Sequence, residues 1–182
     1  LASLIDLGQS VWLDFIQRNL ITSGELARMI EQDGVRGLTS NPAIFEKAFA
    51  TGAEYRASIA AAKRAGLDAK STYETLAIED VQLAADALMP VFERTQGVDG
   101  FASLEVSPQL AYDTQGTLAE ARRLWNTVNR KNLMIKVPGT PQGIPAIRQL
   151  VTEGISVNVT LLFARTAYEA VANAYLEGLE RR

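Results

Sequence analysis

The sequence contains no histidine and no cysteine. Without cysteine there are no disulfides, no thiolate nucleophile and no cysteine-ligated zinc or iron–sulfur site. Without histidine there is no Ser-His-Asp triad and no histidine-ligated metal. No uninterrupted apolar run exceeds four residues, so no membrane-spanning helix is expected. Leu1 to Gly8 lacks a basic segment followed by an apolar stretch, so no secretory signal is visible and a cytoplasmic setting is expected. Neither charge sign dominates: 18 basic and 21 acidic residues give a formal net charge of −3. The basic pairs Arg122-Arg123, Arg130-Lys131 and Arg181-Arg182 are too short for a polybasic patch, and no nucleic-acid partner is expected. Chemistry in this chain therefore falls to Lys, Asp, Glu, Tyr, Ser or Thr, or to a cofactor.

What is present is an ordinary globular composition, 47% apolar and 21% charged over 182 residues. That length suits a single domain with a sizeable core. The pattern alternates strands with helices. Strands are expected at Ser10 to Phe15, Arg36 to Thr39, Phe101 to Val106, Leu133 to Val137 and Ser156 to Thr160. Thr22 to Glu25, Ser71 to Glu74 and Thr117 to Glu120 each have capping-box spacing and are read as helix starts. Asn41-Pro42 and Thr140-Pro141 read as an N-cap followed by proline. The second box opens a long helix to about Arg94, which Pro90 is expected to kink. A last helix is expected from Ala164 to about Glu180. Glu46 to Ala69 departs from the rhythm and reads as one or two extra helices. The alternation argues for a parallel sheet with crossover helices.

Each expected strand carries a polar residue near its carboxyl end, or just past it, where parallel α/β folds bind ligands. These are Asp14, Asn41, Glu105, Lys136, and the pair Asn158 and Thr160, which lie two apart and so face one way. A lysine in a strand is commonly solvent-facing or snorkels from an edge. Lys136 has apolar neighbours in a strand expected to be buried on both faces, which weakens that reading. A buried lysine can become a neutral amine that attacks a carbonyl, and Lys136 is the best nucleophile in the chain. Glu105 and Asp14 read either as strand-end carboxylates capping a turn or as the acid and base that Schiff-base chemistry needs. Asn41 is most simply an N-cap. The glycines near Gly34-Val-Arg-Gly37 and Gly139 to Gly143 match neither a dinucleotide fingerprint nor a P-loop.

Five segments carry a family resemblance: Trp12-Leu-Asp-Phe15, Leu38-Thr-Ser-Asn-Pro42, Ser103-Leu-Glu-Val-Ser107, Met134-Ile-Lys-Val-Pro138 and Asn158-Val-Thr-Leu-Leu-Phe163. In this order, across Gly8 to Phe163, the sequence resembles transaldolase. The opening from Gly8 to Asp14 and the long Glu46 to Ala69 segment resemble the subgroup that includes fusions to glucose-6-phosphate isomerase.

The resemblance implies a class I, metal-free and cofactor-free enzyme of the pentose phosphate pathway on a (β/α)8 TIM barrel. Its substrates would be sugar phosphates. It would transfer a dihydroxyacetone unit from sedoheptulose 7-phosphate or fructose 6-phosphate to an aldose phosphate. Lys136 matches the Schiff-base lysine, Glu105 the acid/base acting through a water, and Thr160 the residue positioning that water. Asp14 matches the base that deprotonates the C4 hydroxyl. Asn41 and Asn158 match the residues holding the hydroxyls of the covalent unit. A homo-oligomer or a fused isomerase domain is the implied macromolecular partner.

The pattern departs from the family at the far end. No residue matches the family's serine, aromatic residue and phosphate-gripping arginine of strands six to eight. A closed eight-stranded barrel needs at least ~200 residues and typically ~250. Residues 1–182 are therefore read as one barrel domain, incomplete at its carboxyl end, holding about five βα units. Two other readings compete with transaldolase: a class I aldolase or lyase of the same barrel family, releasing its product without an acceptor, and a non-catalytic truncated fragment.

Overall fold

The computed structural model describes residues 2–182; Leu1, part of the segment read above for a signal, lies outside them. Its strands form a five-stranded sheet in the order β1-β2-β3-β4-β5. The strands are Val11–Asp14 (β1), Val35–Thr39 (β2), Phe101–Glu105 (β3), Leu133–Pro138 (β4) and Val157–Thr160 (β5). Each lies within one residue of its expected span at either end. Helices follow every strand, so the chain repeats a strand-then-helix unit five times. No helix among the described residues is long and apolar enough to cross a membrane. The chain divides into two compact units, one reaching to Ala102 with Arg130–Asn132 added, the other Ser103–Asn129 with Leu133–Arg182.

In the first unit β1 and β2 pair in parallel, with Trp12 opposite Gly37 and Asp14 opposite Thr39. Helix α1 (Arg18–Thr22) and helix α2 (Glu25–Arg28) join them, and α2 continues as a π-helical turn over Met29–Asp33. The expected start at Thr22 is displaced. Thr22 ends α1, and its hydroxyl donates to the Arg18 carbonyl at 3.1 Å, so Ser23 and Gly24 lead into α2 instead.

Helix α3 (Pro42–Thr51) begins as expected: the Ile44 N–H donates to Asn41 Oδ1 at 2.9 Å, with proline at the first helical position. The segment from Glu46 to Ala69 then holds the rest of α3, a short 3-10 turn at Ala53–Tyr55 and helix α4 (Arg56–Arg64). Helix α5 (Ala69–Arg94) runs through Pro90 and buries Leu76, Val81, Ala84, Leu88 and Val91. It starts earlier than the Ser71 box implies, because Asp68 Oδ1 accepts the Ser71 N–H at 2.7 Å. An aspartate at that point also opposes the positive end of the helix dipole.

In the second unit β4 and β5 pair in parallel, setting Lys136 opposite Asn158 and Pro138 opposite Thr160. Helix α6 (Thr114–Val128) is capped by Asp113, whose Oδ1 accepts the Gly116 N–H at 2.9 Å. Thr117 is therefore inside the helix, its hydroxyl donating to the Leu110 carbonyl. Glu120, expected in that box, accepts the Ser107 N–H at 2.6 Å and closes the loop after β3. Thr140 Oγ1 accepts the Gly143 N–H at 3.0 Å at the entrance to helix α7 (Gly143–Thr152). Helix α7 packs on helix α8 (Arg165–Glu180). Gly178 makes that approach close: a Cβ there would sit 2.8 Å from both the Arg148 carbonyl oxygen and Val151 Cβ.

Candidate active site

Strand β4 does not read as uniformly buried. Leu133, Ile135 and Val137 are fully buried, whereas Met134 and Lys136 occupy the opposite, less buried face. Alternation along the strand thus points the lysine away from the apolar layer. On that face Lys136 Nζ lies 3.3 Å from Glu105 Oε2 at the end of β3, with side chains 11% and 17% exposed. At 11% exposure the solvent-facing reading of this lysine fails. The Val106 N–H donates to the Lys136 carbonyl at 3.1 Å, which fixes the backbone of both residues.

Asn158 stands opposite Lys136 on β5, and its Nδ2 donates to Ser103 Oγ at 3.1 Å. Ser103 is wholly buried. It was not among the residues singled out from sequence, although it sits two before Glu105 and so shares a side of β3 with it. Thr160 closes the same strand, its carbonyl accepting the Gly139 N–H at 2.8 Å. Four of the expected residues, Glu105, Lys136, Asn158 and Thr160, therefore belong to the second unit.

Asp14 and Asn41 belong to the first unit, where they line one cavity of about 590 Å³. Asp14 ends β1 and is its one exposed residue. Gln17, at the N-cap position of α1, makes no side-chain capping hydrogen bond. Asn41 fulfils its helix-capping reading through Oδ1 while also lining the cavity. Gln17 and Lys47 also line this cavity. They lie outside any strand, so a search restricted to strand ends passes over them.

An amine beside a carboxylate, with an amide opposite the lysine on the neighbouring strand, suits carbonyl chemistry through a covalent imine. A sequence profile described as transaldolase/fructose-6-phosphate aldolase matches residues 11–180. The chain belongs to that family. Its five strand-then-helix units form part of the (β/α) barrel fold of that family. Among its relatives, a transaldolase of Trichodesmium erythraeum (strain IMS101) is 51% identical over 182 residues, all of this chain and 48% of the relative. A transaldolase of Thiobacillus denitrificans is 53% identical over 176 residues, 97% of this chain and 49% of the relative. One from Neisseria gonorrhoeae is 54% identical over 176 residues, 97% of this chain and 50% of the relative. The chain thus spans about half the length of the curated relatives it matches.

Proposed function

We propose that the full-length protein is a transaldolase, moving a dihydroxyacetone unit from a ketose phosphate such as sedoheptulose 7-phosphate or fructose 6-phosphate to an aldose phosphate. The Lys136–Glu105 pair, 3.3 Å apart and largely shielded from water, carries this reading. The Lys136 amine attacks the donor C2 carbonyl to give a carbinolamine. Glu105, through a water held by Thr160, protonates the departing hydroxyl, so that water leaves and a protonated imine forms. Asp14 takes the C4 hydroxyl proton as the C3–C4 bond breaks. The bond's electron pair passes into the imine, giving an enamine, and the aldose phosphate departs. Asn41 and Asn158 hold the hydroxyls of the retained unit. Attack of the enamine on an acceptor aldehyde reverses these steps, and water then releases the new ketose. The reaction so written uses no cofactor.

Residues 1–182 supply, in this reading, five βα units of a (β/α)8 barrel domain in a cytoplasmic enzyme of the pentose phosphate pathway. The Gly8 to Asp14 opening supports the subgroup that includes fusions to glucose-6-phosphate isomerase, and an isomerase assay of the full-length protein tests that point. The central test is acceptor dependence. A transaldolase gives a new ketose phosphate only when an aldose phosphate is supplied. Release of free dihydroxyacetone at the same rate without acceptor would make the enzyme a lyase instead.

A further inference from the structure

We propose that Tyr55 is a positioning residue for carbon–carbon bond cleavage, holding together the two cavity walls that carry Asp14 and Asn41. The inference rests on the roles given to those residues under the proposed function.

Tyr55 is completely buried and lies on neither wall. Its hydroxyl accepts the Arg18 N–H at 2.7 Å and donates to Asp80 Oδ2 at 2.6 Å. Arg18 opens α1 directly after the short segment Phe15 to Gln17, which leaves β1 at Asp14. That segment is therefore tied at one end by the β1–β2 pairing and at the other by Tyr55. Gln17, a cavity-lining residue, is tied to the same segment through its Nε2, which donates to Glu54 Oε1 at 2.9 Å. The ring of Tyr55 meets the other wall. It packs with Ala48, which also lines the cavity, and meets Phe49 edge-on at 4.8 Å between centroids. Ala48 and Phe49 sit on the helix capped by Asn41.

The anchor is itself fixed. Arg18 Nε donates to Asp80 Oδ1 at 2.7 Å, and the guanidinium lies over the Tyr55 ring at 5.0 Å from its centroid. Asp80 is fully buried on α5. Burial pushes the Tyr55 phenol up, and the Asp80 carboxylate adds to the rise, so the hydroxyl stays protonated and keeps donating. A tyrosine in this position can make both bonds at once, whereas a phenylalanine keeps the packing and loses both.

The reaction provides a selective readout. Dihydroxyacetone has no C4, so its imine with Lys136 needs no base at Asp14. Cleavage of fructose 6-phosphate does. In the full-length protein Tyr55→Phe should slow cleavage of fructose 6-phosphate about 10- to 100-fold, the scale expected for misplacing a reacting group. Borohydride trapping of dihydroxyacetone should stay within about twofold of the unsubstituted rate, because that chemistry does not use Asp14. Unchanged cleavage, or an equal loss of cleavage and trapping, would overturn the proposal. If Tyr55→Phe does not fold, Asp80→Asn carries the same test with the same three outcomes. Absence of any adduct with either sugar in the unsubstituted protein would instead overturn the Schiff-base reading itself.

Discussion

Lys136 Nζ and Glu105 Oε2 lie 3.3 Å apart, on side chains 11% and 17% exposed. A pair at this distance can exchange a proton directly or across one water. Its members are too shielded to be an ordinary surface ion pair, which contributes little. Glu105→Gln keeps the volume and an oxygen but cannot carry a proton. It should slow formation of the trapped lysine adduct about 10²- to 10⁴-fold, the span typical of acid–base catalysis. Rapid quench followed by intact-mass analysis reads this rate, and a change of less than about threefold would remove Glu105 from the proton path.

Ser103 offers a gentler perturbation on the same strand. Its hydroxyl accepts from Asn158 Nδ2 at 3.1 Å inside the protein. Ser103→Ala removes that restraint, worth about 1 kcal/mol, or roughly fivefold in kcat/KM for the ketose donor. The change should appear mainly in KM, since Asn158 is assigned to hydroxyl binding. Steady-state kinetics over a range of donor concentrations separates the two constants.

The strands were legible because β-branched and apolar residues cluster between turn signals, and the polar strand ends were legible because they break that pattern. Helix starts were less so. Thr22, Ser71 and Thr117 all have capping-box spacing, yet Asp68 and Asp113 reach the first free N–H groups ahead of the latter two. Spacing cannot decide which side chain gets there first. Ser103 was within reach, since it shares a strand side with Glu105. Tyr55 was not: its partners are Arg18 and Asp80, 37 and 25 residues away, and only the folded chain joins them. Alternation on β4 also replaces the expected burial on both faces, leaving Lys136 beside Met134 on the less buried one.

Gly37 faces the Trp12 indole across the first strand pair. A Cβ added at Gly37 would clash with Cε2, Cδ2 and Cζ2 of that indole, so Gly37→Ala must displace either the indole or the strand. Overpacking of this kind should cost about 1–3 kcal/mol. Thermal denaturation of the variant should show a lower Tm, and an unchanged Tm would mean that Trp12 moves aside freely.

Arg122 and Glu153 give a pH-dependent contribution. Arg122 Nε donates to Glu153 Oε2 at 2.8 Å, and this bond holds the Glu153 carboxyl down to about 2 from its ordinary 4.5. A depressed carboxyl stabilises the fold above its unfolded value and loses that contribution as pH falls. The effect of Arg122→Gln should therefore be full above about pH 5 and fade as pH approaches about 2. Because the side chains are 45% and 28% exposed, its size should not exceed about 1 kcal/mol. Paired denaturant titrations of the two proteins across that range measure it.

The most direct measurement is borohydride reduction of the full-length protein with fructose 6-phosphate, followed by peptide mapping. A single reduced adduct on Lys136, absent from Lys136→Ala, is the expected result. An adduct that persists in Lys136→Ala, or that maps to another lysine, would contradict the assignment of Lys136 as the nucleophile.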